Sequence, residues 1–279
     1  MPEQPSIFET DLAALARAKK LLENPGFIAK VADAVGTPIE KLLHALPEKA
    51  SMAIQAATRT ALEKALKVAM ATLGGESGHE PSNIWHKVAV VATGAAGGAF
   101  GLASLPIELP VSTTIMLRSV ADIARSKGED LRTPESALAC IEVFALGARS
   151  KADDGTESAY YAVRIALARA VSEAAEYLAS KAAVEEGAPA LVRLIAAVTG
   201  RFGVVVAEKA AAGLVPILGA VGGAAINVAF MDHFQDMAEG HFTVRAPDRT
   251  RPSPCYSCGR LKRLLVGRRR FYGLPAPTL

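Results

Sequence analysis

Apolar residues recur at intervals of three and four along most of this chain, and that spacing places them on one face of an α-helix. The clearest example covers residues 48–73, where Ala, Leu, Ile and Met follow this pattern up to a Gly-Gly pair. No segment alternates apolar and polar residues in the way that a half-buried β-strand does. The pattern therefore predicts an all-α fold, a multi-helix bundle of roughly eight to ten helices.

Residues that favour helix ends divide this pattern into separate helices. Thr and Pro favour a helix start, and Gly favours the position after a helix end. The starts expected on this basis are Thr10, Thr37-Pro38, Glu48, Pro106 with Pro110, Thr133-Pro134, Glu157 and Pro189. We expect the first helix to end at Asn24 and the helix after Pro110 to end at Gly128. The helix from Pro189 is expected to be short and to end at Val198.

Two segments are uncharged, apolar and rich in glycine: residues 88–107 and residues 210–231. Glycines four positions apart remove side-chain bulk from one helix face, so that a second helix can approach closely. The glycines assigned to helix packing or membrane contact are Gly94, Gly97, Gly98, Gly101, Gly219, Gly222 and Gly223. Each segment is long enough to cross a bilayer, although Pro216 and Asn227 weaken that interpretation of the second. A buried helical hairpin, a peripheral or reversible insertion and a constitutive span all stay open.

Composition supports the helical interpretation and locates the charge. Hydrophobic residues make up 51% of the 279 residues and aromatic ones only 5%, a balance that favours Ala- and Leu-rich helices over sandwiches or barrels. The formal net charge of +3 conceals an asymmetry. Residues 245–279 contain nine Arg and Lys and one Asp, which gives +8 and leaves −5 for residues 1–244. The global charge therefore gives no reason to expect nucleic acid as a partner.

The chain divides into three parts by composition. We expect an N-terminal extension at residues 1–7, a helical domain at 8–244 and a basic, Pro- and Arg-rich, disordered tail at 245–279. Cations in the tail are interleaved with apolar residues, a pattern suited to the surface of an anionic membrane. The cations assigned to that surface are Arg260, Lys262, Arg263, Arg268, Arg269 and Arg270. RNA binding and plain solvation are the alternatives for this run.

The three cysteines are too few for a disulfide framework. Residues 1–20 also lack a signal-peptide pattern, so we expect a cytoplasmic protein with reduced thiols. Cys255 and Cys258 have the spacing of half a zinc ribbon, but two thiolates do not complete a tetrahedral site. Cys140 lies apart from them in the helical body.

Six polar residues form the candidate cluster for ligand binding or structural support: Glu108, Arg118, Asp122, Glu142, Asn227 and His233. Helical spacing puts Arg118 and Asp122 on one face, where they could line a cleft for an anionic headgroup or form an ordinary solvated ion pair. Glu142 stands between apolar neighbours, so it needs a cation, which Arg118 or Arg164 could supply. Glu142 is then either a structural salt-bridge partner or a proton-accepting or ligand-binding group.

Residue patterns for catalysis and metal binding are weak in this sequence. His233 and Asp236 stand three positions apart and could hold a metal together with His241, although a solvated helix end explains the same residues. The sequence contains no nucleophile elbow, no phosphate-binding loop ending in Gly-Lys and no His-Glu-x-x-His zinc motif. We therefore expect no cofactor and favour a non-enzymatic protein.

Several of these stretches together resemble the bacterial EcsC protein family. The resemblance is carried by residues 97–102 (GGAFGL), 105–110 (LPIELP), 116–124 (MLRSVADIA), 139–147 (ACIEVFALG) and 215–227 (VPILGAVGGAAIN). The similarity keeps one register over residues 11–244 and leaves the basic tail outside.

The resemblance implies a helical accessory protein, membrane-associated or cytosolic, of a family named after a gene beside an ABC-transporter pair. Some relatives carry peptidase labels, but this sequence has no matching catalytic motif. We expect a non-enzymatic protein peripheral to the inner face of the cell membrane, linked to an ABC transporter or to envelope processes. Its expected partners are membrane lipid or a membrane protein, and a second copy of the chain is a further option. The alternative is a hydrolase-like enzyme or a small-ligand-binding protein with a polar site around Arg118, Asp122 and Glu142.

Overall fold

The computed structural model describes residues 7–23, 43, 46, 48–72, 104–148, 159–180, 188–212 and 219–250. These residues form seven α-helices and no β-strand, so the all-α prediction is confirmed. The helices are α1 (Ile7–Glu23), α2 (Glu48–Thr72), α3 (Leu105–Ser126), α4 (Pro134–Leu146), α5 (Ala159–Ser180), α6 (Pro189–Ala212) and α7 (Gly219–Thr250). The predictions for Thr37-Pro38, for the first Gly-rich segment as far as residue 103 and for the tail beyond residue 250 lie outside the described residues.

The turn between α3 and α4 follows from two local signals that are visible in the sequence. Gly128 has a φ of 83°, the left-handed region that glycine adopts without strain. The backbone N–H of Glu129 then donates to the carbonyl of Ala124 at 3.0 Å, which closes the end of α3. Thr133 caps α4 by accepting a hydrogen bond from the N–H of Ser136 at 3.3 Å. This turn leaves Glu129 buried directly after α3.

Helix α6 is much longer than predicted. Its expected end was Val198, but the helix continues to Ala212. Beyond the expected end, Phe202, Val205 and Val206 are buried in the core. Their packing outweighs the cost of the two glycines in this part of the helix, about 1 kcal/mol each relative to Ala.

Three other boundaries also differ from prediction. Helix α6 ends at Ala212 and α7 begins at Gly219, so the uncharged segment 210–231 contains the end of one helix and the start of another, and residues 213–218 between them lie outside the described residues. Helix α7 extends through Thr250, six residues into the segment that composition assigned to the tail. Helix α1 begins at Ile7 rather than after Thr10.

The long helix α7 contacts α1, α3, α4 and α6 and so connects most of the bundle. Helix α2 packs on α3 and α6, α1 packs on α7, and α4 contacts α5, α6 and α7. Four fully buried phenylalanines join α4, α6 and α7: Phe144, Phe202, Phe230 and Phe234. The ring centroids of Phe144 and Phe202 lie 4.9 Å apart, and those of Phe230 and Phe234 lie 5.2 Å apart in an edge-on arrangement.

Helix α1 approaches α7 closely at one glycine. A Cβ atom added to Gly240 would lie 2.7 Å from Leu22 Cγ and 3.2 Å from the carbonyl oxygen of Ala18. Near this contact, Leu15 and Ala18 of α1 form a small apolar cluster with Val244 of α7. Tyr160 of α5 packs on the same cluster, so α1 is linked to the end of α7 and the start of α5.

Candidate functional site

Three polar side chains meet where the start of α3, the end of α6 and the first half of α7 come together. Lys209 Nζ donates to Glu108 Oε1 at 2.7 Å, and Asn227 Nδ2 donates to the same oxygen at 3.0 Å. The Lys209 ammonium group also lies 4.9 Å from the ring centroid of Phe230, within the range of a cation–π interaction. We call Glu108, Lys209 and Asn227 the lysine site.

The lysine site is a closed ion pair. Only 8% of the Lys209 side chain and 10% of the Glu108 side chain are exposed. Burial lowers the pKa of Lys209, and the charge and hydrogen bond of Glu108 oppose that shift. Each charge has its counterpart within hydrogen-bond distance, so the arrangement suits a structural role that holds three helices together.

A second buried ion pair joins the turn after α3 to the end of α7. Arg245 Nε donates to Glu129 Oε1 at 2.9 Å, and the hydroxyl of Ser136 donates to Glu129 Oε2 at 2.7 Å. Burial alone would lower the pKa of Arg245, but the hydrogen bond and charge of Glu129 outweigh it, and the pKa is raised. Arg245, which composition assigned to the tail, is therefore part of the folded domain.

A third group lies between α4, α5 and α7, next to that ion pair. Glu142 is only 4% exposed, and the positive charges of Arg164 and Arg245 act on its carboxylate. On the facing helices, the hydroxyl of Tyr160 and Nδ1 of His241 are hydrogen-bonded at 2.9 Å. The other ring nitrogen of His241, Nε2, is buried and has no partner among the described residues. We call Glu142, Tyr160 and His241 the Glu142 site.

The electrostatics of the Glu142 site differ from those of the lysine site. Burial raises the pKa of Glu142 to about 7, and the positive charges of Arg164 and Arg245 limit the rise. Burial lowers the pKa of His241 well below its usual value, and the same two arginines lower it further. The imidazole is therefore neutral near pH 7, whereas Glu142 changes charge there.

The six residues of the predicted polar cluster occupy separate surroundings. Glu108 and Asn227 meet in the lysine site, and Glu142 faces Arg164, one of the two cations proposed for it. Arg118, the other proposed cation, is exposed to solvent.

The last two members of that cluster lie apart from Glu142. Asp122 pairs with Arg125 Nη1 at 3.1 Å, in the same helix. His233 Nε2 is hydrogen-bonded to the carbonyl of Gly147 at 2.7 Å. The expected cleft between Arg118 and Asp122 is thus an exposed arginine beside an intrahelical ion pair.

The candidate metal ligands are also distributed. His233 is bonded to a backbone carbonyl and His241 to Tyr160, so the two rings have different partners. Over the described ranges, no three His, Cys, Asp or Glu side chains come close enough to hold a metal ion. Gly219, Gly222 and Gly223 lie in the first two turns of α7. The predictions for Gly94, Gly97, Gly98 and Gly101, for Cys255 and Cys258 and for the six tail cations lie outside the described residues.

The exposed side of α6 is a feature that the sequence analysis missed. Among the described helices, α6 is the one that is long and apolar enough to cross a membrane, yet only 39% of its apolar window is buried. Its exposed or partly exposed positions from residue 194 to residue 207 carry no carboxylate and one cation, Arg201, which donates to the carbonyls of Ala145 and Ala148. We call the following residues the α6 face: Val192, Ala196, Ala197, Gly200, Gly203, Val204 and Ala207.

Charged and large apolar groups on α5 and α6 accompany the α6 face. Glu173 accepts hydrogen bonds from Arg169 at 2.8 Å and from Arg193 at 2.8 Å, so that two guanidinium groups share one carboxylate. The Arg169 side chain is 92% exposed. Ile165, one turn earlier on α5, is also largely exposed.

Comparison with protein families gives one result. The model of the EcsC protein family matches residues 10–246, which covers most of the chain and ends just beyond Arg245. No curated protein and no solved structure matches the chain. The match includes all residues of the lysine site and the Glu142 site.

Proposed function

We propose that this chain, which belongs to the EcsC protein family, is a non-enzymatic accessory protein that binds the membrane surface reversibly through the α6 face. The observation that carries the proposal is the combination of an apolar composition sufficient for a membrane span with burial of only 39% of that apolar window. A core helix of the same composition would hide this surface inside the protein.

The chemistry of the α6 face fits the lipid interface rather than the bilayer centre. Its residues are small, with Gly200 and Gly203 each having no atom within 4 Å of an added Cβ, so the face is flat and inserts little volume. Val192 and Val204 are 38% and 39% exposed and supply the larger apolar groups. A shallow contact of this kind gives weak, reversible binding, unlike a spanning helix.

The shared ion pair beside the α6 face supplies a site for anionic headgroups. Arg169 and Arg193 carry two positive charges against the single charge of Glu173. Exposed ion pairs contribute little stability, so either guanidinium can exchange the carboxylate for a lipid phosphate at small cost. Each cation near an anionic surface contributes about 1 kcal/mol, which makes the proposed binding dependent on anionic lipid and on salt.

Vesicle sedimentation tests this proposal directly. The full chain is mixed with vesicles of phosphatidylcholine, with and without phosphatidylglycerol, and the bound fraction is measured at low and high salt. The double variant Val192→Asp, Val204→Asp is expected to lose about tenfold or more in binding, because two charges enter the contact surface. Met52→Asp is the matched control, since Met52 is a large apolar residue that is 67% exposed on a different helix, α2.

Three variants separate the contributions of the two arginines, the α6 face and the basic tail to vesicle binding. Arg169→Gln with Arg193→Gln should reduce binding to anionic vesicles at low salt and leave the small binding to neutral vesicles unchanged. Undiminished sedimentation of the Val192→Asp, Val204→Asp protein, folded by circular dichroism, would contradict the proposal. Deletion of residues 251–279 measures the separate contribution that the sequence predicts for the basic tail.

Location and partners follow from the same proposal. A protein that contacts anionic lipid from a reducing compartment would lie at the inner face of the cell membrane. The small residues of the α6 face would also admit close packing against a helix of a membrane protein, such as a transporter. The alternative site around Arg118, Asp122 and Glu142 has less support, because Arg118 is exposed and Asp122 pairs with Arg125, whereas Glu142 is buried beside Arg164 and Arg245.

A further inference from the structure

Two guanidinium groups share one carboxylate between α5 and α6. Arg169 Nε donates to Glu173 Oε1 at 2.8 Å. Arg193 donates to the other oxygen, Oε2, from Nη2 at 2.8 Å and from Nε at 3.1 Å. Among the described residues, neither arginine bonds to any other carboxylate. The contact therefore arranges two guanidinium groups around a single anionic group, with one arginine at each of its oxygens.

A phosphodiester resembles the anion that this contact already binds. It carries one negative charge on two equivalent oxygens, as a carboxylate does, and guanidinium groups bind both kinds of anion through paired N–H donors. The side chains of Arg169 and Arg193 are 92% and 61% exposed, so an external anion can reach both. Arg193 directly follows Val192 of the α6 face, and Ile165 is exposed one turn before Arg169. A headgroup at an apolar membrane surface fits this combination.

We propose that Glu173 is an internal competitor for the anionic headgroup: its carboxylate occupies Arg169 and Arg193 in the free protein and yields them to a lipid phosphodiester at the membrane. This inference rests on the proposed function and adds a threshold to it. A headgroup must displace a carboxylate that is tethered beside the arginines, so that binding requires a surface dense in anionic lipid.

The competitor is charged at neutral pH, and its displacement costs the fold little. Hydrogen bonds from Arg169 and then from Arg193 lower the pKa of Glu173, so the carboxylate stays ionised. Exposed ion pairs contribute little to stability, because water and salt screen them. A phosphodiester in the place of the carboxylate would restore the same kind of hydrogen bond to both arginines.

The charges give the direction of the expected effect. Two positive charges and one negative charge leave a sum of +1 on Arg169, Arg193 and Glu173, and Glu173→Gln raises it to +2. The amide is a weaker acceptor for guanidinium groups than a carboxylate is. One added positive charge near an anionic surface corresponds to roughly fivefold tighter binding. The variant should therefore bind anionic membranes more tightly, although it has lost a salt bridge.

Vesicle sedimentation over a series of phosphatidylglycerol contents tests the proposal on the full chain at low salt. Glu173→Gln should reach half-maximal binding at a lower phosphatidylglycerol content than the wild type. Glu176→Gln is the matched control, since Glu176 is an exposed carboxylate one turn later on α5 and neither arginine bonds to it. It removes the same charge and should give a smaller gain. Equal gains would overturn the proposal, because the effect would then be one of net charge alone.

The arginines decide whether the gain arises at this contact. In the Arg169→Gln, Arg193→Gln background, Glu173→Gln should produce no gain, because the carboxylate then has no guanidinium group to occupy. A full gain in that background would contradict the proposal. A Glu173→Gln protein that binds less than the wild type would also contradict it, since the carboxylate would then orient the arginines. Glu173→Ala, checked for helix content by circular dichroism, repeats the test without the amide and should show at least the same gain.

Free phosphate is distinguished from lipid by exchanging chloride for inorganic phosphate at constant ionic strength. Wild-type binding to anionic vesicles should not change, because a surface with many headgroups outcompetes a free anion. A large loss of binding would place free phosphate at the arginines and overturn the proposal.

The same series separates this inference from the proposed function. If the Val192→Asp, Val204→Asp protein binds as the wild type does while Glu173→Gln binds more tightly, the role of the α6 face is contradicted and that of Glu173 is supported. If wild-type binding depends on the α6 face but Glu173→Gln does not increase it, this inference alone is rejected. Sedimentation of none of these proteins rejects both.

Discussion

The lysine site and the Glu142 site both bring ionisable groups into the interior, and both depend on α7. In the lysine site, Glu108 accepts from Lys209 and from Asn227, so each charge has a partner. In the Glu142 site, the carboxylate is near the positive charges of Arg164 and Arg245, and Nε2 of His241 is buried without a partner among the described residues.

This difference separates two uses of buried charge in one helical bundle. A buried ion pair fixes the helices that carry its members, because each charge would be costly to leave without its partner. Burial raises the pKa of Glu142 to about 7, so the charge of this side chain changes near neutral pH and makes stability depend on pH there. The lysine site thus stabilises the packing of three helices, whereas the Glu142 site contains a group whose charge changes near neutral pH.

The largest expected effect comes from breaking the lysine site. Lys209→Ala leaves Glu108 buried with Asn227 as its remaining donor, so the free energy of unfolding should fall by about 3–5 kcal/mol. Denaturant unfolding followed by circular dichroism measures this. The double variant Lys209→Met, Glu108→Gln removes both charges and should cost much less. A Lys209→Ala protein as stable as the wild type would show that the ion pair does not contribute to the free energy of unfolding.

Gly240→Ala perturbs the contact between α7 and α1. The new Cβ would lie 2.7 Å from Leu22 Cγ and 2.9 Å from Leu22 Cδ2, which forces α1 away from α7 at a cost of about 1–3 kcal/mol. Hydrogen exchange should show reduced protection of α1, while peptides of α3 and α6 around the lysine site keep theirs. Equal loss at both sites would mean that the two sides do not open separately.

Glu142→Gln should change the pH dependence of stability. The wild type is expected to lose roughly 1–3 kcal/mol of unfolding free energy from about pH 5 to about pH 8, because the proton on Glu142 is lost in that range. The variant should show a flatter profile and be the more stable protein at alkaline pH. Denaturation midpoints at matched ionic strength supply the comparison, and parallel wild-type and variant profiles would exclude Glu142 as the source.

Gly200→Ala gives the smallest expected effect and lies outside both polar sites. No atom lies within 4 Å of the added Cβ, so the methyl group meets no obstacle, and the variant should gain up to about 1 kcal/mol from helix propensity. A thermal melt should show a slightly higher midpoint. A marked destabilisation would mean that the α6 face is covered in solution, for instance by a second copy of the chain.

Sequence patterns predicted the helices better than the sites. Gly128 and Thr133 mark real helix ends because their effects are local: one backbone conformation and one capping hydrogen bond. Helix α6 was cut short at Val198 because its glycines oppose helix formation locally, whereas the burial of Phe202 depends on distant partners. The EcsC resemblance was confirmed, since it rests on motifs spread along the whole domain.

The sequence identified the polar sites only in part, because contacts between residues far apart in the chain leave no local pattern. Glu108, Asn227 and Glu142 were identified because a polar residue within an apolar segment is conspicuous in the sequence. Their partners were not: Lys209 lies 101 positions from Glu108 in the chain, and composition placed Arg245 in the tail. The pattern of one helix cannot reveal which face of another helix it meets.

Helix α7 has a mechanical consequence for the whole bundle. Asn227 and His241 lie 14 positions apart on it, which corresponds to about 21 Å along the helix axis. Between them, Phe230 and Phe234 are fully buried and pack edge-on in the aromatic cluster. Because one continuous helix carries Asn227, the two phenylalanines and His241, a change of packing at one polar site is expected to reach the other through α7.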